Sequence, residues 1–436
     1  MKPQYWFRWL SDHGLPRYAV RAAAKQGDRF AELIGSPAGV SDPYQLIERM
    51  RGDGPLQRTR IAWASFDHEV VRGILRDSRF GVRDPAGVAT PRGLRWITDA
   101  AHVPANPVEP PSMLVIDPPE HTRMRKPVAS AFTPRAVRKL GERVETVTVE
   151  LLDGLPDDGR VDLIEGFASR VPIAIISEML GFPDADQDRF LQWGDTMTPL
   201  LDIGISWRDY RTALRAMTVM DGYLSEHIGR LRAEPGDDIL STLVSTGDLD
   251  DYALAATASL LMGAGFETTV NLIGNGVVQL AKHPEQLARL RAEPELWPNA
   301  IEEILRIDPP VQTTARTALE DVEVAGVRLP AGSTVVVSLA GANRDPAVFT
   351  DPDRFDVGRE NAREHLTFSN GIHVCLGASL ARMEGVFALR SLFERFPDLA
   401  LDGALQHRQL FTLHGYRALP VRLGRRAPRA VPQPVS

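Results

Sequence analysis

The 436 residues hold one cysteine, Cys375. A single thiol excludes an internal disulfide and any metal cluster built on cysteines alone, and it fits a reducing, cytoplasmic compartment. Basic excess is also lacking: the net charge is −7, which argues against a general nucleic-acid binder, because such domains are usually basic. No Gly/Ser linker, repeat or low-complexity insert divides residues 40–424. One large, mostly helical body is expected rather than a string of modules. The N-terminal MKPQYWFRWLSDHGLPRY lacks the apolar core of a signal peptide. Its Trp6, Phe7, Trp9 and Leu10, with Lys2 and Arg8, fit packing onto the body, which is the expectation, or contact with a membrane surface. The C-terminal RRAPRAVPQPVS is Pro-rich and aperiodic and is expected to be disordered.

Apolar residues at 43% and charged residues at 25% are ordinary for a globular chain. The longest helical pattern runs from about Asp250 to His283, with Asp250 or Asp251 as its cap and Pro284 marking its end. It is apolar on most faces, so it is either buried or membrane-spanning. Glu267, Asn271 and Asn275 interrupt it, which argues for a core helix. At its middle, AGFETT places Ala264 and Thr268 four apart on one face with Glu267 beside them, and Gly265 allows a close backbone approach. A buried acid and hydroxyl are costly unless partnered or used. A Thr bonded back to a carbonyl one turn earlier is the structural alternative.

Three more stretches carry candidate chemistry. In DPPEHTRMR (117–125), Asp117 is read as the N-cap, Pro118 as the first helical residue and Glu120 as the third. His121 and Arg125 then share a face, either as anion donors or as a solvated basic stripe. EEILR (302–306) spaces Glu303 and Arg306 to pair. Exposed, such a pair contributes about 0.2–0.5 kcal/mol; buried, breaking it costs about 3–5 kcal/mol. Arg316 in QTTAR is a further anion clamp. In FSNGIHVCLG (368–377), Cys375 lies in a glycine-rich loop before a helix start, where backbone N–H groups favour a thiolate. A buried free thiol is the alternative. His373 is too near in sequence to be an obvious second ligand and fits a partner anion instead.

These pieces, in this order, resemble the cytochrome P450 family of haem-thiolate monooxygenases, in particular its soluble, actinobacterial-type members. FSNGIHVCLG matches the cysteine-ligand loop, EEILR the Glu-x-x-Arg pair, AGFETT the oxygen-activating segment, and DPPEHTRMRKPVASAFTPR the propionate-binding helix. ANRDPAVFTDPDRFDVGR resembles the region before the ligand loop. The likeness covers about residues 40–424. One departure is Ser369, where the family usually has glycine after the phenylalanine.

The resemblance implies a mainly α fold with a small β region, a single triangular haem-thiolate monooxygenase fold around a long central helix. Residues 1–40 would be an N-terminal extension packing on the body, 41–424 the haem domain and 425–436 a disordered tail. It implies heme b (iron protoporphyrin IX) with Cys375 as axial thiolate, Phe368 beside the sulfur, and Gly371 and Gly377 letting backbone approach the macrocycle. His373 and Arg316 would hold one propionate, and His121 and Arg125 the other. Glu303 and Arg306 would be the buried structural pair. Gly265, with Ala264, would open room for O2, and Thr268 with Glu267 would deliver protons. The activity implied is hydroxylation or epoxidation of a hydrophobic small molecule of lipid, fatty-acyl, terpenoid or polyketide class. Electrons would come from a ferredoxin and its reductase, docking on a patch near Cys375 that includes Arg123, Lys126 or Arg382. A peroxide-driven peroxygenase and a non-catalytic haem-based binding or sensing protein are the alternatives; the Glu267–Thr268 pair argues against both. Segments expected to line the substrate pocket are 81–116, 198–207, the helix face at Leu261, Ala264 and Thr268, Val311–Thr314, and 410–415. Strand-like runs fall at 56–65, 322–330, 333–340 and 418–423.

Overall fold

The computed structural model describes residues 3–82, 104 and 107–428. Most of the 81–116 loop expected to line the pocket, and residues 429–436 of the expected tail, therefore lie outside the described residues.

Asp250 caps the central helix, Asp251–Lys282, by accepting the Ala253 N–H at 2.8 Å. The helix stops at His283, because Pro284 opens the next one, Pro284–Ala292. By length and composition this helix could cross a membrane, but its apolar stretch is mostly buried inside the protein. Helices Arg170–Met179, Trp207–Ala233, Trp297–Ile307 and Ala378–Arg395 all pack against it. Each Leu, Ile or Val so buried contributes about 1.5–3 kcal/mol, which is why the helix tolerates polar residues in its middle. Asn275 is one of them: its Nδ2 donates to the carbonyls of Asp308 (3.0 Å) and His414 (3.3 Å).

Glu384, on Ala378–Arg395, lies 3.3 Å from Thr269 Oγ1 on the central helix and is buried. Burial pushes its carboxyl up from 4.5 to about 8, so it is neutral at pH 7. A carboxyl raised in the folded state preserves stability below its unfolded value and loses it as pH rises through the folded value. Stability should therefore fall between about pH 4.5 and 8, and Glu384→Gln should flatten that slope in melting temperatures measured across the range. An unchanged slope would mean the carboxyl is already ionised in the fold.

A five-stranded sheet stands beside the helices, in the order Gln57–Arg58, Trp63–Ser65, Thr334–Ser338, Thr313–Ala318, Phe80–Gly81. Trp63–Ser65 and Thr334–Ser338 run parallel, and the other neighbours are antiparallel. The run at 56–65 is thus a hairpin, and 322–330 is another, Val322–Val324 with Val327–Leu329. Pro420–Arg422 joins Arg160–Asp162 and Ala400–Leu401 in a three-stranded sheet.

At the N-terminus, Trp9 Nε1 donates to the Ile205 carbonyl (3.0 Å) and its ring lies 5.7 Å from that of Trp207. The C-terminal expectation needs correction at its start. Ala427 N–H donates to the Arg395 carbonyl at 2.8 Å, and Arg426 reaches the Leu155 carbonyl, so residues 425–428 are bound to the body. One main-chain hydrogen bond and an arginine side chain hold this segment where composition alone suggested none.

Candidate functional site

Glu303 and Arg306 project from Trp297–Ile307 into an environment with no solvent access, both side chains being 0% exposed. Arg306 grips Glu303 through two parallel hydrogen bonds of 2.6 and 2.9 Å. Its remaining N–H groups donate to the carbonyls of Asn343 (3.0 Å), Pro352 (2.8 Å) and Arg354 (3.1 Å). Glu303 also accepts from the Asp356 N–H (3.0 Å) and Arg359 Nε (3.2 Å). The pair therefore fastens the irregular 343–359 segment that leads to the ligand loop. Neighbouring Glu302 fastens the loop itself: it accepts from Arg382 (2.8 and 3.0 Å) and contacts His365 Nε2 (3.1 Å). Burial opposes ionisation of Glu302, but hydrogen bonds from His365 and Arg382 outweigh it and hold the carboxyl near 2. The Arg382 guanidinium in turn lies 4.5 Å over the Phe368 ring.

From there the chain turns into 368–377. Ser369 adopts φ 63°, the left-handed conformation that glycine takes freely. A serine there stores about 1–2 kcal/mol of strain, and the turn forms nonetheless, so the departure at this position leaves the loop intact. Gly371, at φ 72°, abuts the helix His68–Arg76 so closely that a Cβ would lie 2.3 Å from the Leu75 carbonyl oxygen. Its lack of a side chain seats the loop on that helix end. Cys375 N–H donates to the Phe368 carbonyl (2.9 Å). The Cys375 side chain is exposed, whereas Leu380 beyond it is buried. Desolvation still pushes its thiol up, while the Gly377 N–H, Arg125 and Arg382 draw it back toward the thiolate. Among the described residues a Cβ at Gly377 would meet nothing within 4 Å, so the chain beside the sulfur leaves room for a bound group.

The helix carrying His121 and Arg125 spans Glu120–Ala129, and here the N-cap expectation is wrong. Its cap position is Pro119, which offers no side-chain hydrogen bond, while the Asp117 carboxylate accepts the Val82 N–H (2.9 Å). The helix still delivers its residues. The His121 and His373 rings lie 4.3 Å apart, and each has a buried Nε2 without a hydrogen-bond partner among the described residues. Arg125 donates to the Val374 carbonyl. Arg316 is buried on the strand Thr313–Ala318, bonded only to Thr314 Oγ1 (3.2 Å) and the Ala315 carbonyl (2.8 Å) among the described residues.

Burial, reinforced by Arg316 and His121, pushes His373 down to about 3. Burial likewise lowers Arg316 to about 10, against the pull of Asp117. Clustered donors that depress one another's basicity need negative charge, and the propionates of a haem supply it. The residues present therefore fit a haem: an open thiol side, donors without partners, and backbone that leaves room. A charge-assisted bond contributes about 1.5–3 kcal/mol. Arg316→Leu or His373→Ala should thus speed haem loss to a scavenger globin by about tenfold or more; unchanged loss would remove that residue from the cradle.

On the central helix, burial is interrupted where the motif predicts. Ala264 is exposed, Gly265 and Thr268 are half-buried, and Phe266, Glu267 and Thr269 are buried. Thr268 Oγ1 donates to the Ala264 carbonyl (2.8 Å), the bond anticipated as its structural alternative, yet the side chain keeps access to the opening. Gly265 differs from expectation: a Cβ there would meet Ile176 at 3.2 Å, so the missing side chain admits the Arg170–Met179 helix. Burial raises the Glu267 carboxyl, and Arg408 opposes the rise. Arg408 Nε lies 2.9 Å from Glu267 Oε1, and its Nη1 donates to Asp195 (2.9 Å). No sequence motif flags Arg408, a lone cation in a polar turn far along the chain.

Three of the segments expected to line a pocket meet one another. Val311 bridges Leu413, Gln312 N–H donates to the Thr412 carbonyl (2.9 Å), and Asp202 accepts the N–H groups of Phe411 (2.6 Å) and Thr412 (2.8 Å). Of the cations placed in a docking patch, Arg123 pairs with Glu120 (2.9 Å) and Arg382 with Glu302 (2.8 Å).

A helix-rich fold with a buried Glu-x-x-Arg clamp, a cysteine loop and an opened central helix defines a haem-thiolate oxygenase. The chain belongs to the cytochrome P450 family, whose model matches residues 184–403. It is 46% identical over 95% of its length to the protein named cytochrome P450 140 in Mycobacterium tuberculosis, covering 97% of that protein. It is 39% identical to the 6-deoxyerythronolide B hydroxylase of Saccharopolyspora erythraea, over 88% of this chain and 96% of the other. Among solved structures, the bacillaene polyketide synthase cytochrome P450 PksS of Bacillus subtilis superposes with a TM-score of 0.77 at 32% identity, over 88% of this chain and 97% of that one. The protein is a cytochrome P450 monooxygenase, an oxidoreductase.

Proposed function

We propose that this monooxygenase hydroxylates or epoxidises a hydrophobic small molecule, with the polyketide class favoured over lipid, fatty-acyl and terpenoid substrates. The observation that carries the reading is the opening at Ala264 and Thr268 in a helix otherwise buried along its middle. The names of the hydroxylase and polyketide-synthase relatives support the polyketide class as the reading.

Heme b, when bound through Cys375, supplies the one-electron and O2 chemistry that side chains lack. The chain supplies the rest. His121, Arg125, Arg316 and His373 orient the cofactor by its propionates, and Phe368 shields the sulfur from water. Ala264 leaves space over the opened helix face. Thr268 Oγ1 turns its hydroxyl proton from the Ala264 carbonyl toward that space to hand it on, and Glu267, kept from solvent and leashed by Arg408, replenishes it. Electrons come from a ferredoxin and its reductase, which dock near Cys375 with Lys126 contributing, and the protein works in the cytoplasm. The haem domain spans 41–424.

Thr268→Ala tests the reading. Loss of a positioned proton donor typically costs about 10²–10⁴-fold. Product per O2 should fall by about a hundredfold, with peroxide released instead, while the Soret shift on titrating macrolide-type polyketides stays saturable. Undiminished oxidation driven by added peroxide would favour a peroxygenase. Binding without turnover in either protein would favour a haem-based sensor.

A further inference from the structure

We propose that the outer face of the N-terminal helix, together with the turn at Ile203, is a docking surface for a bilayer of anionic phospholipid. The argument starts from where apolar exposure is concentrated. Of the eleven large apolar side chains exposed among the described residues, five belong to this face: Trp6 (42%), Phe7 (47%), Leu15 (57%), Tyr18 (75%) and Ile203 (59%). Isolated exposed leucines mean nothing, but a contiguous set of aromatic and aliphatic tips marks an interaction site.

The set is contiguous because of the helix geometry. Pro3–Trp9, the π-turn Leu10–Gly14 and Leu15–Lys25 follow one another with right-handed helical dihedrals at the joins, making one continuous helix. A π-turn accommodates one extra residue, so Phe7 and Leu15, eight apart, return to the same side, with Trp6 and Tyr18 flanking them. The opposite side is committed to the body. Trp9 binds Ile205 and Trp207, the His13 ring lies 5.4 Å from Tyr210, and Val20 and Ala23 are buried. Arg17 Nη1 donates to the Gly204 carbonyl (3.1 Å), which holds the turn carrying Ile203 against this helix.

Charge selects the occupant. Arg17, Arg21 and Lys25, spaced by four, form a stripe along this helix, and none makes an ion pair among the described residues. The first 25 residues hold five Lys and Arg against one acid, Asp12, in a chain whose net charge is −7. An acidic protein is repelled by an anionic bilayer everywhere except at such a patch, so the patch also orients it. Aromatic tips with basic residues beside them suit the headgroup boundary, where rings sit among the glycerol groups and cations meet phosphate. The proposal rests on residues other than those assigned to haem and proton delivery, and it stands whatever the substrate proves to be.

The test is co-sedimentation of the haem-loaded, full-length protein with vesicles of equimolar phosphatidylglycerol and phosphatidylcholine, and with phosphatidylcholine alone. The protein should pellet with the anionic vesicles, weakly or not at all with the neutral ones, and less as salt rises. The triple variants Phe7→Ser/Leu15→Ser/Tyr18→Ser and Arg17→Glu/Arg21→Glu/Lys25→Glu should each lower the partition constant by about tenfold or more. All six side chains are exposed or partly so, so the haem spectrum and melting temperature should not move, which separates lost docking from lost folding. Failure to pellet with anionic vesicles overturns the proposal, as does pelleting that both variants retain or that neutral vesicles match. Retention of the face by an acidic protein but not by vesicles would also overturn it, assigning the surface to a protein partner.

Discussion

Arg306→Leu is expected to destabilise the protein by about 3–5 kcal/mol, the largest effect of any single substitution considered for stability. The substitution strands Glu303 in a site with no solvent access and leaves Arg359 as its remaining cation. It also removes donors from three main-chain carbonyls, those of Asn343, Pro352 and Arg354. A double variant, Glu303→Leu/Arg306→Leu, should be less damaging than Arg306→Leu alone, because the fully buried carboxylate goes too and Arg359 keeps its carbonyl acceptors at Thr350, Asp351 and Arg354. The comparison that checks this is thermal unfolding of both variants beside Arg328→Leu. Arg328 pairs with Asp321 at 2.7 Å but with both side chains more than half exposed, and losing such a pair costs about 0–1 kcal/mol. If Arg306→Leu shifts the midpoint no more than Arg328→Leu does, the clamp is not what holds the 343–359 segment.

Cys375→Ala should have the largest effect on activity and almost none on the stability of the haem-free chain. The side chain is exposed and fills no core, and the main-chain bond from residue 375 to the Phe368 carbonyl survives the change. Stability of the haem-free chain should thus stay within about 0.5 kcal/mol. Substrate oxidation should fall by more than about 100-fold, since loss of even an outer-shell partner typically costs 10–100-fold. The reduced carbon monoxide complex should lose the long-wavelength Soret band of thiolate ligation. A structural thiol would behave in the opposite way, losing stability and keeping the spectrum, and that result would end the ligand assignment.

What was legible in the sequence depended on whether a residue's role is set by its near neighbours. The central helix was readable almost to the residue, since Asp250 caps and Pro284 interrupts locally. The Glu303–Arg306 pair was readable as a spacing, but whether it was buried depended on segments 46–53 residues further along. Asp117 misled because a long-range acceptor role, toward Val82, displaced the local capping role its sequence suggested. Thr313–Ala318 was missed as a strand because its burial does not alternate: the run from Thr313 reads buried, two accessible, then three buried. In the middle of a sheet the polar TTAR pattern serves to aim Arg316, and its threonines pack. Arg408 was invisible, since its partners Glu267 and Asp195 come from two other helices.

The seating of the ligand loop on residues 68–76 reaches further than the loop itself. His68, at the start of that helix, takes the Asp345 carboxylate at its N–H (2.8 Å) and meets the Glu364 carbonyl through Nε2 (2.9 Å), while Gly371 rests against Leu75 at the other end. Early and late stretches of chain thus share one mechanical joint at the cysteine. A nascent polypeptide would have the first part of that joint long before Cys375 is synthesised and could not complete the site until nearly all of it had emerged. Cofactor capture is for that reason expected to be a late event in the birth of this protein, and a product truncated before Cys375 is expected to lack thiolate ligation.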